Sequence, residues 1–293
     1  MPLVPFPDLL HDAQRGGYAV GYFEAWDSYS VEAVLEAAEL ELSPVILGFG
    51  CLLLDQAWLE NGGIEIFGSI GRVVAGRSRV PVSLLLNEAH TPEHAVRGID
   101  AGFSAVMLAT SDTETIARLT RIAHTRGVAV EAELGSLPDG NPVGEIDRSH
   151  ASLTDPDQAA AFVQATDVDA LAVSIGNVHT LEGHTAEVDL DRLAEIRRSV
   201  GVPLVIHGGT AFPPEAVPGA IARGVAKFNV GTTLKRTLLE ELQAELAGLA
   251  AGASPHDLVG SHKSSDLLEA AKPRLVEKLR VLMRLYGSSG RAI

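Results

Sequence analysis

The chain has 293 residues, 46% of them hydrophobic and 21% charged, a globular composition of a length that one (β/α) barrel of roughly 250 residues plus an extension accounts for. A net charge of −15 argues against a nucleic-acid partner, which would need clustered Lys and Arg, and the lone Cys51 excludes an intrachain disulfide. The opening MPLVPFPDLL lacks the basic start of a secretory signal and the apolar runs are strand-sized, so no membrane span is expected and a cytoplasmic location is the default.

In chain order, apolar runs rich in Val, Ile and Leu predict strands at Tyr18–Phe23, Pro44–Phe49, Pro81–Asn87, Ala105–Ala109, Ala129–Leu134, Ala170–Ile175, Pro203–Gly208 and Ala226–Gly231. Such runs, without polar alternation, suit parallel strands covered on both faces. Between them lie amphipathic stretches such as SYSVEAVLEAAELEL, TPEHAVRGIDAG, DTETIARLTRIAHTRG and DPDQAAAFVQATD, opened by Ser, Thr or Asp and often closed by Gly. An unbroken series of such units predicts a (β/α)8 TIM barrel spanning residues 1–293 as a single domain. A doubly wound sheet would need a Gly-rich turn after its first strand, where this chain reads EAWDSYS. Residues 136–153, SLPDGNPVGEIDRSHASL, are too long and too rich in Gly and Pro for a plain connection and read as a mobile active-site loop. Residues 254–293 form a charged helical extension whose stretch LVEKLRVLMRLYG carries an apolar stripe, suited to cover the barrel or a second subunit.

Barrel chemistry sits where strands end at their C-termini. The polar residues there are Asn87, Glu88, Glu131, Glu133, His179, His207 and Asn229. Two imidazoles and several carboxylates on one rim suit a divalent transition metal, although no spacing motif demands one, and strand-end histidines also serve as plain hydrogen-bonding groups. The loops after the last two strands, HGGTAFPP and NVGTTLKR, offer the amides and hydroxyls of Gly208, Gly209, Thr210, Thr232 and Thr233 to a small phosphate. The same residues could equally end strands and cap helices. Lys235 and Arg236 read as solvated helix residues, and Glu133 as steadying a ligand through a hydrogen bond.

The segments GGYAVGYF, GIDAGFSAVM, VEAELG, LTDPDQAAAFV, DALAVSIGNVH, VPLVIHGGT, GVAKFNVGTTL and LYGSSGRA make the chain similar, nearly end to end, to the class II, metal-dependent fructose-bisphosphate and tagatose-bisphosphate aldolases. The resemblance implies a barrel homodimer or higher homo-oligomer that acts on a small-molecule sugar phosphate or related keto compound. It implies C–C cleavage or formation through an enediolate stabilised by a divalent metal, foremost Zn²⁺, with Mn²⁺ or Fe²⁺ as alternatives. It makes His179 and His207 two metal ligands.

The departures fall inside the site. Where the family carries an Asp-His pair, this chain has Asn87 and Glu88, so Glu88 becomes the expected third ligand and Asn87 a hydrogen-bonding rather than titrating group. Gly231 replaces an Asn or Asp after strand eight, and the first-strand segment has become EAWDSY. The loop's usual consecutive acids are missing, which leaves Glu145 and Asp147, with His90 behind them, as candidates for proton transfer. A metal-dependent epimerase or isomerase on the same enediolate, or a catalytically silent binding barrel, are the competing functions.

Overall fold

A computed structural model describes residues 3–292. Each expected strand is present, with ends displaced by at most two residues: β1 (Val20–Glu24), β2 (Val45–Gly50), β3 (Val82–Ala89), β4 (Ala105–Leu108), β5 (Ala129–Leu134), β6 (Ala170–Val173), β7 (Leu204–Ile206) and β8 (Val225–Val230). All pair in parallel with their sequence neighbours, and β8 pairs with β1 to close the barrel. The long apolar runs follow from this closure. Outward side chains such as Val130 and Ala132 pack under the helices, while inward ones such as Val20, Ile46, Met107 and Val205 fill the barrel. Helices after β1, β3, β4, β5 and β6 begin at Asp27, Thr91, Asp112, Asp155 and Asp189, whose side chains accept first-turn N–H groups.

An N-terminal helix, Phe6–Gly16, precedes the first expected element. Its Phe6, Leu9, Leu10 and Ala13 join the inward cluster, and Gln14 donates to the carbonyl of Gly224 at the start of β8. It therefore plugs the barrel mouth opposite the rim where the strands end. At the other terminus, the helix Leu267–Leu285 packs against the helices Ser28–Glu41 and Thr232–Ala247 of its own chain. Tyr286 follows it, buried, with its ring stacked on Phe228 at 4.7 Å between centroids and on Phe23 at 6.5 Å. The extension thus covers the seam between β1 and β8.

The segment 136–153 is more ordered than a plain loop. Asp139–Gly140 pairs antiparallel with Ile146–Asp147, Ser136 bridges Ser152, and Gly140 N–H donates to the carbonyl of His179 at 2.7 Å. Pairing satisfies backbone donors that a free loop would leave to water. No helix among the described residues is long and apolar enough to cross a membrane.

Candidate active site

Alternation along a strand sends only one of two successive side chains into the barrel, so Asn87 and Glu88 compete at the end of β3. The backbone resolves the conflict. Glu88 has φ +54°, and the pairing of β3 with β4 shifts register between Leu86 and Ala89, so both side chains line the same cavity. A left-handed conformation at a residue with a side chain costs about 1–2 kcal/mol, and Thr180, beside His179, carries the same strain at φ +53°. Strain flanks both of these candidate ligands.

His207 follows β7 and is buried. Its Nε2 lies 2.9 Å from Glu131 Oε1, its Nδ1 2.9 Å from Glu133 Oε2 and 3.7 Å from Glu88 Oε1. The Nε2–H donates to Glu131, so Nδ1 is the nitrogen turned to the cavity, and its lone pair would become available to a cation once the proton that the neighbouring carboxylates favour has left. Glu131 rather than Glu133 therefore orients this ring, because it sits one pleat deeper on the same inward face of β5. Asn177 donates to the carbonyl of His207 at 2.9 Å and steadies the turn. Burial alone would keep the imidazole neutral, but the surrounding Glu133, Glu131 and Glu88 raise its pKa well above the ordinary value. Below it, fully buried Lys227 donates to both oxygens of Glu131, at 2.9 and 2.8 Å, and lies over the Tyr22 ring, 4.9 Å from its centroid. Burial opposes ionisation of Glu131, yet Lys227 and His207 outweigh it and hold the carboxyl below its usual range.

His179 reaches the same space, its ring centroid 5.9 Å from that of His207. One ligand atom from each of Glu88, His179 and His207 can be chosen so that all lie within 4.8 Å of one another. The donor set fits a divalent cation. His207 Nδ1 and Glu133 Oε2 are buried with no hydrogen-bond partner although they face each other, which is the state expected of groups aimed at a shared positive charge. Two imidazoles and a carboxylate are ordinary ligands for Zn²⁺, Mn²⁺ or Fe²⁺.

On the other side of a cavity of about 110 Å³, Gly208, Thr210, Asn229 and Thr232 form the wall. Gly208, at φ +69°, runs so close to β6's following loop that a Cβ would sit 2.2 Å from the Val178 carbonyl oxygen. The adjoining Gly209 does not line the cavity; its N–H donates to the Asn229 carbonyl. Thr210 Oγ1 accepts from Thr233 N–H, and the helix Thr232–Ala247 starts at Gly231 with no side-chain cap. Its positive end is directed at the cavity wall that Thr232 forms, a natural seat for an anion.

Glu145 and Asp147 are not brought to this cavity. Both are exposed on the ribbon, Glu145 accepting from Asn141 and Asp147 from Ser149 N–H, while Asp139 of the same ribbon does line it. His90 bonds the Cys51 carbonyl. Lys235 and Arg236, read as solvated, pair with Glu24 and Glu182. Tyr22, Glu24 and Lys227 escaped the sequence reading. Lys227 had a signal: a cation inside an apolar strand, two residues before Asn229 and hence on its face.

Comparison with known proteins gives one answer. The profile of the family described as fructose-bisphosphate aldolase class-II matches residues 4–291. A probable fructose-bisphosphate aldolase of Bacillus subtilis (strain 168) is 32% identical over 300 residues, covering all of both chains. A sulfofructosephosphate aldolase of Alkalicoccus urumqiensis is 30% identical across 97% of this chain and 96% of its own. Among solved structures, the YdjI aldolase of Escherichia coli K12 superposes with a TM-score of 0.79 at 29% identity, over 99% of this chain and 100% of the other.

Proposed function

Because the chain belongs to the class II fructose-bisphosphate aldolase family, metal-dependent lyases that act on ketose phosphates, we propose that it uses Glu88, His179 and His207 as metal ligands to cleave and form a C–C bond of such a substrate. The observation that carries the ligand assignment is the convergence of these three side chains on one cavity, with His207 Nδ1 buried, making no hydrogen bond and facing the carboxylates of Glu88 and Glu133. A divalent cation there, foremost Zn²⁺, supplies a Lewis acid that draws electron density from a ketone oxygen. Glu131 and Lys227 hold the His207 ring in place. Asn87, with a buried and unpartnered Oδ1, binds a substrate hydroxyl. The first-turn amides at Thr232 and the Thr210 hydroxyl bind the substrate phosphate, together with Gly208 and Asn229. Leu239, Leu246 and Leu249 leave an apolar side of the helix Thr232–Ala247 and its end exposed, which supports a homo-oligomer in a cytoplasmic enzyme.

The test pairs elemental analysis with cleavage assays. Purified protein should carry about one divalent ion per chain, and Glu88→Ala, His179→Ala and His207→Ala should each lower that content at least about tenfold. Wild type should release a triose phosphate from fructose 1,6-bisphosphate, tagatose 1,6-bisphosphate or sulfofructose phosphate, and lose the activity to a chelator. A protein free of metal, or a Glu88→Ala variant that retains it fully, defeats the ligand assignment.

A further inference from the structure

Three carboxylates line the cavity: Glu24, Glu88 and Asp139. Glu88 stands among the candidate ligands, and Asp139 is 67% exposed on the ribbon. Glu24 is different. It ends β1, its side chain is 21% exposed, and its carboxylate lies in a slot left by glycines at the ends of both neighbouring strands. A Cβ on Gly231, after β8, would fall 2.0 Å from Glu24 Oε2, and one on Gly50, ending β2, would fall 3.3 Å from Oε1. Gly231 has a negative φ of −135°, outside the left-handed region, so the constraint a side chain there meets is the room that Glu24 occupies. Lys235 Nζ donates to Glu24 Oε1 at 2.5 Å and fixes the head group. The same point above Gly50 lies 3.8 Å from the Tyr22 hydroxyl. That hydroxyl and Asn87 Oδ1 are both buried without a partner, and both residues line the cavity. Polar groups thus converge where a ligand hydroxyl would satisfy them. Asn87 cannot exchange a proton near neutrality, whereas a carboxylate can.

The geometry points to Glu24 as the base that takes the proton from the substrate hydroxyl during C–C cleavage, an inference that rests on the aldolase reading above. The carboxylate accepts the hydroxyl proton, and the O–H electron pair becomes the second bond of the aldehyde product. The electrons of the broken C–C bond pass to the carbon next to the ketone, whose π pair moves onto its oxygen. That carbon then takes a proton from water, and Glu24 returns its own to solvent, so no oxidant or further reactant is needed. Lys235 is a positioning residue, holding the carboxylate over Gly50.

The experiment separates cleavage from enolisation. Wild type, Glu24→Gln and Glu24→Asp, each checked for metal content and melting temperature, are assayed on the three ketose phosphates named above. In parallel, dihydroxyacetone phosphate is followed for exchange of its carbon-bound hydrogen in deuterium oxide, which needs enolisation but no hydroxyl base. Glu24→Gln should lose at least about 100-fold in kcat for cleavage while its exchange stays within about threefold of wild type. Glu24→Asp should recover part of the loss, and Gly231→Asp placed in a Glu24→Ala background should restore activity by returning a carboxylate to the same slot. Cleavage by Glu24→Gln within about threefold of wild type overturns the assignment, as does loss of exchange in step with cleavage. A wild type that neither cleaves nor exchanges defeats the aldolase reading itself, and the assignment with it.

Discussion

Replacing Lys227 by Met strands a carboxylate in the floor of the barrel. Lys227 and Glu131 are both fully buried, and two hydrogen bonds of 2.9 and 2.8 Å join them. Without the ammonium, Glu131 has two recourses. Staying ionised leaves a buried charge with only His207 Nε2 beside it, so the roughly 3–5 kcal/mol of an uncompensated buried ion is the upper bound of the cost. Taking up a proton at pH 7, from an unfolded value near 4.3, costs up to about 3.7 kcal/mol at 1.36 kcal/mol per pH unit. Both routes predict a loss of up to about 3–4 kcal/mol, a large share of the roughly 5–15 kcal/mol that a folded protein commands. The pH dependence identifies the cause. In the variant, burial raises the folded Glu131 pKa above its unfolded value, so the penalty is absent below the unfolded value and grows as pH rises. At pH 5 it should shrink to about 1 kcal/mol. In wild type the shift is downward, and the stabilisation it represents is present above the unfolded value and fades as pH falls. Urea unfolding at pH 5 and pH 7 reads the difference. Lys227→Met/Glu131→Gln should recover to within about 1 kcal/mol of wild type at pH 7, since the amide still accepts from His207. A Lys227→Met loss under about 1 kcal/mol, or one that is the same at both pH values, refutes the buried-pair account.

Three further expectations concern other parts of the chain. Burial opposes the charge of Glu41, but Arg284, Ser289 and Arg280 bring its carboxyl down to about 2; after discounting for the half-exposed Arg284, Glu41→Gln should cost about 1–2 kcal/mol at pH 7. Because that pKa is lowered, the gap from wild type should close as pH falls from about 5 towards 2, as a stability titration would show. Leu10→Ala, in the helix that plugs the barrel mouth, should cost about 2–5 kcal/mol in denaturant melts while leaving kcat/KM of the folded enzyme unchanged. Burial, with Glu88 and Glu24 nearby, pushes the Cys51 thiol up to about 12, so native protein at pH 8 should resist a disulfide reagent that titrates Cys51 promptly after unfolding.

The barrel was legible because its signals are local. Runs such as VPLVIHG and VAVEAELG can be buried on both faces only in a covered parallel sheet, and Asp or Thr caps mark where the helices begin. Strand ends also announce which residues can reach the rim, so Asn87, Glu88, His207 and Asn229 could be named from position alone, whereas His179, six residues past the end of β6, stood out by its residue type and by the family resemblance. Where a loop intervenes, position fails: Glu145 and Asp147 are near the site in sequence, yet the pairing of the ribbon turns them outward and presents Asp139. Tertiary structure alone decided the rest. Whether Glu88 could join Asn87 in the cavity depended on one left-handed φ and one register shift, which no period of two foretells. That Lys227 neutralises Glu131, and that Glu24 fills the room beside Gly231, are contacts between residues 96 and about 200 positions apart. Sequence specifies such residues one at a time; only closing the sheet brings β1, β5 and β8 into one floor, where desolvation makes each charge depend on the partner that the fold supplies.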